Sequence, residues 1–448
     1  MFQTLRNAWK IVDLRKKILF TLLIVLVFRI GSVITVPFVD ASVVAEASKS
    51  ASDFMGVVTM VSGGGFSNAS LFALSITPYI NSSIIIQLLT VAIPVLERWA
   101  SEGAEGRKKL NKVTRIFTVV LGLMLGTAYY FLVRSMKDTE GNPALLDMAT
   151  NGVAATIFSA VVIILCFAAG STLVMWLGEQ INEHGIGNGI SILLFAGILS
   201  RIPVAATTLW AYFWEGGIQQ LETAGSGAVK YIVLAPVVLI LFLAIIAFIV
   251  FMDNAERRIP VQYAKKTVGR KMYGGQNTFI PIKVNGSGVM PIILASSIIS
   301  LPSIIASFIN NTEKTDNWFF NAFKQDSWAY IILYFLMIIG FAYFYVTIQY
   351  NTTEIANNLR KNSGAIPGYR PGEPTEEYLK KAINKVTFIG ALFLGIIALF
   401  PSLFGKFSGI YGLTLGGTSI MIVVGVALET TRQIESQMTM RHQKGFLG

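Results

Sequence analysis

The sequence predicts an all-α polytopic membrane protein, with ten transmembrane helices arranged in two pseudo-symmetric, inverted halves of five. The first observation is composition: of 448 residues, 53% are hydrophobic and only 14% are charged, against about 25% charged in ordinary soluble domains. The second is that about ten apolar stretches approach the roughly 20 residues that a helix needs to cross a bilayer. The third is that Lys and Arg concentrate in alternate connections between these stretches. Together they exclude most soluble folds and intrinsic disorder.

The apolar stretches are candidate spans, which we number in chain order. Seven are continuous, and they cover residues 18–36, 116–133, 156–177, 231–252, 289–309, 328–348 and 386–404. Three are short or interrupted by glycine, proline or charge, and they cover residues 79–95, 190–210 and 410–428. The polar segment 222–230 separates an N-terminal half, 1–222, from a C-terminal half, 223–448. Because each half has five spans, the halves would have opposite orientations, as in inverted repeats.

The distribution of basic residues predicts which side of the membrane each connection faces. If the N-terminus is inside, 27 of the 36 Lys and Arg residues lie in inside connections and 8 in outside connections. Cytoplasmic loops of membrane proteins carry such an excess. We therefore expect both termini to be cytoplasmic and the net charge of +11 to be mainly a topology signal.

The residues that enzymes and ion-coupled pumps need are scarce. His184 and His442 have no second ligand or base near them in the sequence, so no catalytic residue, metal or cofactor is predicted. The run GIGNGIS (185–191) lacks the Lys-Ser/Thr of a phosphate loop and is interpreted as a tight helix entry. The continuous spans contain no Asp or Glu, which argues against an ion-coupled transporter. Arg29 lies about eleven residues into span 1, and the sequence is compatible with either a functional or a structural role for it.

Residues 61–89 form the least regular region near any span. Three consecutive glycines break a helix, a short apolar helix follows, and Pro78 interrupts it before span 2 proper. The pattern fits a half-helix that enters the membrane from the outside, where irregular backbone must be surrounded by protein or water. A helix lying on the outer surface fits the pattern equally well.

Two inside connections, 253–288 and 349–385, are too long and too patterned for plain turns. In the first, the runs RIPVQYA (258–264) and TFIPIKV (278–284) predict a β-hairpin with a basic tip. In the second, Pro367, Pro371 and Pro374 stiffen an extended turn that carries Arg370. The basic charge of these loops could serve only topology and anionic lipid. We favour a docking surface, because retention on one side needs no stiff loop.

Several long motifs occur in an order and spacing that extend over essentially the whole chain. They are FRIGS around Arg29, SGGGFSNASLFALSITPYINSSIIIQLLT, WLGEQINEHGIGNGISILLFAGI, VMPIILASSII, IPGYRPG and GGTSIMIVV. With these motifs the chain resembles bacterial SecY, the channel subunit of the Sec protein translocon. The resemblance implies a protein-conducting channel, not an enzyme, in the bacterial plasma membrane. Such a channel passes unfolded preproteins and releases transmembrane segments sideways into lipid. A small-solute secondary transporter with inverted repeats is the alternative.

The resemblance also implies three groups of pore residues. The pore ring would be Ile80, Ile84, Ile190, Leu194, Ile293 and Ile422, with leucine at 194 where the family typically has isoleucine. The plug that closes the outer funnel would be Gly63, Gly64, Gly65, Phe66, Ser67, Asn68, Ala69, Ser70, Leu71, Phe72 and Ala73. The lateral gate would be Ile84, Ile85, Gln87 and Leu88 in span 2 with Ile293, Ser296, Ser297 and Ile299 in span 7.

The resemblance also implies partners, two of which would bind the inside loops 253–288 and 349–385. The docking surface for the SecA motor ATPase and for the ribosome, including ribosomal RNA, would be Arg257, Arg258, Lys265, Lys266, Arg270, Lys271 and Arg370. SecE and a SecG-like subunit would accompany the channel in the membrane. Signal sequences and nascent chains of preproteins would be its substrates, and anionic lipids would surround it.

Overall fold

A computed structural model gives the fold of most of the chain. It describes residues 6, 9–50, 64–136, 143–145, 152–214, 226–263, 266–268, 271–273, 277–308, 322–323, 327–408 and 417–444. The helices are α1 (Val12–Gly31), α2 (Ala41–Ser50), α3 (Thr77–Ala92), α4 (Pro94–Ser101), α5 (Ala104–Ser135), α6 (Gly152–His184), α7 (Gly189–Leu199), α8 (Ile202–Phe213), α9 (Ser226–Asn254), α10 (Met290–Phe308), α11 (Trp328–Gln349), α12 (Thr352–Lys361), α13 (Glu373–Ser408) and α14 (Gly417–Lys444). The strands are β1 (Glu256–Tyr263), β2 (Lys266–Val268), β3 (Lys271–Tyr273), β4 (Asn277–Lys283) and β5 (Gly364–Ala365).

The helices confirm an all-α polytopic membrane protein. Within the described ranges, six are long and apolar enough to cross a membrane by themselves, and they cover Ala104–Arg134, Ala154–His184, Gly189–Ala211, Pro236–Asn254, Trp328–Lys361 and Glu373–Phe400. The pair α3 and α4 makes a seventh if it is taken as one bent span. Spans 1, 7 and 10 correspond to α1, α10 and α14, which are shorter in their apolar part or begin or end among charges.

Three spans differ in detail from their predicted bounds. Helix α1 ends at Gly31 and not at residue 36, because residues 34–36 are extended and hydrogen-bond with residues 69–71. Span 2 is bent by 103° between α3 and α4, where Pro94 cannot continue the first helix. Span 5 divides at residues 200–201 into α7 and α8. Each break leaves the apolar content unchanged, so composition alone could not locate it.

Three apolar clusters organise the spans. A C-terminal cluster joins α9, α10, α11, α13 and α14 around side chains such as Ile338 and Leu394. An N-terminal cluster joins residues 36–44, 66–74, α5 and α6 around Val133, Ile163 and Phe167. A central cluster draws on both halves, with side chains from α1, α3, α6, α7, α10, α11 and α14. The central cluster is therefore where the two halves of the chain meet.

The loop after α9 is the predicted hairpin, which the strand pairing confirms. Strands β1 and β4 are antiparallel, with Glu256 opposite Lys283 and Val261 opposite Thr278. The short strands β2 and β3 pair further out, at the basic tip. The sequence did not predict that β5, from the loop after α12, adds to the free edge of β1 to give the order β4-β1-β5. The two long loops therefore form one folded unit.

Candidate pore, plug and docking surface

The six predicted ring residues come together in the central cluster, although they come from four separate helices. Their buried members are Ile80 and Ile84 on α3, Leu194 on α7 and Ile422 on α14, which are only 4–8% exposed. Ile190 and Ile293 are partly buried and pack against the same cluster. Because α3 and α7 lie in one half and α10 and α14 in the other, these side chains close the junction of the halves with apolar surface.

The central cluster also contains residues that the sequence reasoning missed. Ile24 and Phe28 come from α1, Leu177 and Ile181 from α6, and Tyr345 from α11. The first two pairs have i,i+4 spacing, so a search for buried helix faces could have found them. Nothing in the sequence distinguishes Tyr345 from the other tyrosines of α11. Its hydroxyl has no hydrogen-bond partner among the described residues.

The predicted plug helix is absent from the described part of the plug, residues 64–73. Gly63 lies outside the described residues, and residues 64–76 form consecutive turns. Positive φ angles at Gly64 (92°), Ala69 (43°) and Ser75 (49°) prevent a continuous helix. Pro78 also differs from the prediction, since it lies in the first turn of α3 and begins that helix.

The plug segment contacts two clusters at once. Phe66, Ala69 and Ala73 belong to the N-terminal cluster. Phe72 belongs to the central cluster, where its ring stacks on Phe28 at 5.9 Å between centroids and 9° between planes. Ile76, just after the plug, also packs in the central cluster. One short segment therefore links the packing of α5 and α6 with the ring residues.

Backbone contacts fix the position of the plug segment. The Val36 amide donates to the Ala69 carbonyl at 3.0 Å, and the Leu71 amide donates to the Ile34 carbonyl at 2.8 Å. The Leu71 carbonyl lies directly against Gly170 of α6, in the space that a Cβ at residue 170 would occupy. A glycine is thus required at this crossing for the plug to lie as close to α6 as it does.

The predicted lateral gate is brought together only in part. Helix α10 contacts α3, and Leu88 and Ile293 both pack against the central cluster. The hydroxyls of Ser296 and Ser297 donate to the Ile293 carbonyl at 2.9 and 2.8 Å, within their own helix. Ile85 and Gln87 on α3 are half-buried. Ile299 differs, because it is 1% exposed inside the C-terminal cluster, on the face of α10 toward α11 and α13.

The predicted docking residues fall on the hairpin and on the turn before α13. Arg257 and Arg258 are exposed on β1. Arg258 also pairs with Glu256 at 2.7 Å and covers the Phe279 ring at 4.7 Å, so part of its charge is already engaged. Arg370 is exposed. Lys266 lies on β2 and Lys271 on β3, but the structure does not describe their side chains. Lys265 and Arg270 are outside the described residues.

The turn that carries Arg370 is rigidly built. Gly368 and Gly372 on either side of it have positive φ angles of 87° and 113°. The Thr375 hydroxyl donates to the Arg370 carbonyl at 2.8 Å, and Tyr369 packs on Tyr378 at 4.3 Å between ring centroids. These contacts hold the Arg370 backbone while its side chain is exposed, as expected for a turn stiffened by prolines.

A polar cluster that the sequence did not predict joins the base of the hairpin to α14. The Arg432 guanidinium donates to the Asp253 carbonyl at 3.3 Å and to the Asn254 side chain at 2.6 Å. The Asn285 amide donates to the Asp253 carboxylate at 3.2 Å, and Asn285 is only 7% exposed. The hairpin is therefore anchored where α9 ends and where the chain turns toward α10.

Arg29 lies in a different place from the one its span predicted. Because α1 ends at Gly31, Arg29 is in the last turn, where a positive charge interacts favourably with the helix C-terminus. Cys166 is partly buried against the N-terminal cluster, where it packs as a small apolar side chain. Within the described ranges, no three His, Cys, Asp or Glu side chains are grouped as metal ligands.

Apolar helices long enough to cross a membrane pack around a junction between the two halves, and a folded segment lies against that junction. These features define a polytopic membrane protein of the channel class. The SecY family model matches residues 70–431, and the chain therefore belongs to the SecY family. The protein translocase subunit SecY of Streptomyces galbus is 42% identical over the full length of both chains. That of Thermotoga maritima is 41% identical, over 100% of this chain and 98% of its own.

Solved structures show the same fold at lower sequence identity. One, described as the structure of a protein conducting channel, has a TM-score of 0.63 and 18% identity, and the match covers 95% of this chain and 92% of the other. Canine Sec61, in a ribosome-channel complex from the endoplasmic reticulum, has a TM-score of 0.61 and 18% identity over the same shares.

Proposed function

We propose that this protein is the protein-conducting channel of a translocase, which passes unfolded preproteins across a membrane and releases transmembrane segments laterally. The observation that carries the proposal is the central cluster. All six ring residues pack there, at the junction of the two halves, and Phe72 of the plug belongs to the same cluster. The full-length similarity to translocase subunits named SecY supports the same function.

The chemistry of the ring suits such a pore. A narrow apolar constriction excludes water and ions at rest by dewetting, and it has no strong preference for any side chain that passes. An extended chain cannot cross lipid, because each unsatisfied backbone group costs several kcal/mol there. Separating the halves at the central cluster would open an aqueous path for it. Apolar segments of about 20 residues would leave sideways instead, between α3 and α10, because they are more stable in lipid.

The ring, plug and gate residues named from the sequence have proposed roles on this basis. The ring residues would form the seal, and residues 63–73 would support it from one side. Ile84, Ile85, Gln87, Leu88, Ile293, Ser296 and Ser297 would line the gate. Ile299 has a weaker case, since its side chain is packed among α11 and α13.

The hairpin and the Arg370 turn would form the docking surface for partners that supply force. A SecA motor and the ribosome, through its RNA phosphates, are the proposed partners. Structurally similar channels have been solved in ribosome complexes, which supports the second.

SecE, a SecG-like subunit and anionic lipids would accompany the channel in the bacterial plasma membrane. The excess of Lys and Arg in alternate loops supports cytoplasmic termini. The energy would come from partners or the membrane potential, so the channel itself would not be an enzyme.

Preprotein import into proteoliposomes tests the proposal. The chain is reconstituted with a SecE subunit, SecA and ATP are added, and imported preprotein is measured by its protection from external protease. We expect import that depends on both SecA and ATP. A folded, SecE-containing sample that imports nothing would overturn the channel function, and uptake of a small solute by that sample would favour the secondary transporter.

A further inference from the structure

Tyr129 of α5 contacts the plug segment through both its hydroxyl and its ring. Tyr129 is 3% exposed, and its hydroxyl donates a hydrogen bond to the backbone carbonyl of Phe66. Its ring lies 4.5 Å from the Phe66 ring and 4.7 Å from the Phe167 ring of α6, measured between centroids. The side chain is therefore wedged between the plug and two helices of the N-terminal half.

Four further contacts of the plug also lie in the N-terminal half. Two are backbone hydrogen bonds with residues 34–36, and one is the crossing at Gly170. Phe72 stacks on Phe28 of α1. None of these contacts uses a helix of the C-terminal half. The hydrogen bonds and the close crossing of the plug are therefore made within the N-terminal half, while Phe72 also packs in the central cluster, to which both halves contribute.

The hydrogen bond from Tyr129 differs from the backbone hydrogen bonds because deleting one side-chain oxygen abolishes it. A buried hydrogen bond inside an apolar cluster is expensive to lose, since its groups were taken out of water to make it. Phenylalanine at residue 129 would keep both ring contacts and remove only the hydroxyl. Loss of one such bond shifts an equilibrium by about tenfold.

We propose that Tyr129 is a positioning residue that latches the plug in its resting place and so sets how strong a signal sequence must be to open the channel. The inference rests on the proposed channel function. A signal sequence that binds weakly supplies little free energy for moving the plug, so it fails against an intact latch. Without the latch the plug is displaced more often at rest, and weaker signals suffice.

The test compares Tyr129→Phe with a matched control, Tyr130→Phe, in the full chain assembled with its membrane subunits. Tyr130 is 4% exposed in the same cluster, and its hydroxyl makes no described hydrogen bond to the plug. Resting ion conductance is measured in planar bilayers, and amide exchange is measured over residues 64–73. Import is measured for a normal preprotein and for one with a defective signal sequence.

For Tyr129→Phe we expect about tenfold more open time at rest, faster exchange in the plug and increased import of the defective preprotein. Normal import and thermal stability should stay near wild type, as should every property of Tyr130→Phe. Wild-type conductance, exchange and selectivity in Tyr129→Phe would overturn the latch and leave the channel function intact. If wild type imports no preprotein at all, the channel function itself fails.

A second variant covers the case in which Tyr129→Phe does not assemble. Phe66→Leu removes the ring contact between Phe66 and Tyr129 and leaves the hydrogen bond to the residue-66 carbonyl in place, so we expect the same three changes with smaller size. If Phe66→Leu assembles and behaves as wild type in all three measurements, the latch is overturned.

Discussion

Replacing Gly170 with alanine should move the plug without touching any ring residue. The Cβ of alanine would overlap the Leu71 carbonyl oxygen and lie 2.9 Å from the Leu71 carbonyl carbon. Gly170 lies within α6, which cannot shift without disturbing its packing on α5, so the plug backbone is the part that must give way.

The size of the effect follows from this overlap. The Leu71 oxygen must retreat by roughly 1.5 Å to restore an ordinary contact. Overpacking of this kind typically costs about 1–3 kcal/mol. Because 1.4 kcal/mol is a factor of about ten, the resting position should be disfavoured by roughly 5- to 150-fold. The Leu71 amide donates the 2.8 Å hydrogen bond to the Ile34 carbonyl, so moving Leu71 should weaken this bond as well.

Resting ion conductance in planar bilayers measures the outcome, with Gly340→Ala as the control. A Cβ at Gly340 of α11 would meet nothing within 4 Å, so this change adds the same methyl group in open space. We expect a raised conductance for Gly170→Ala and a wild-type value for Gly340→Ala. A wild-type conductance in both variants, with unchanged amide exchange in residues 64–73, would refute the reasoning.

Three further substitutions test the ring, the docking surface and the hairpin anchor. Ile422→Asn puts an amide into the central cluster, so resting conductance should rise or signal selectivity relax; wild-type behaviour in both would remove Ile422 from the ring. Arg370→Glu should impair SecA-driven import while assembly, followed by gel filtration, stays intact; lost assembly would make the role of Arg370 structural. Arg432→Gln removes the guanidinium bonded to Asp253 and Asn254, so trypsin should cut the hairpin several-fold faster; an unchanged cleavage rate would show that the anchor lies elsewhere.

The sequence predicted the features that depend on local composition. The length of apolar runs located the spans, and α10 (Met290–Phe308) agrees closely with the predicted 289–309. The alternation of apolar and polar residues around a turn predicted the pairing of β1 with β4. Both signals arise from neighbouring residues, which is why a single sequence contains them.

Features that depend on contacts between distant residues were not predictable in this way. The plug was expected to be helical, but the pairing of Thr35 with Ser70 and the left-handed backbone at Ala69 replace the helix with turns. Nothing near Ala69 in the sequence indicates that conformation, since non-glycine residues rarely adopt it. The addition of β5 to β1 likewise joins segments about 100 residues apart.

The ring prediction came from family resemblance and not from spacing. Isoleucine and leucine occur in every span, so i,i+4 pairs such as Ile80 and Ile84 do not distinguish a pore from a packed core. The convergence of four helices on one cluster is a tertiary fact. Ile299 shows the limit of carrying over a nearby residue, because it lies about 1.7 helical turns beyond Ile293 and so faces a different cluster.

The addition of β5 to the hairpin has a mechanical consequence. The sheet packs on Val346 of α11, Leu359 of α12 and Ile383 of α13, while its base continues into α9 and α10. We therefore expect a force on the hairpin to act on α9, α10, α11 and α13 together. The hydrogen bonds of the plug segment are made with residues 34–36 and Tyr129 of the other half, so we expect the same force to separate the two sides of the central cluster while these hydrogen bonds persist.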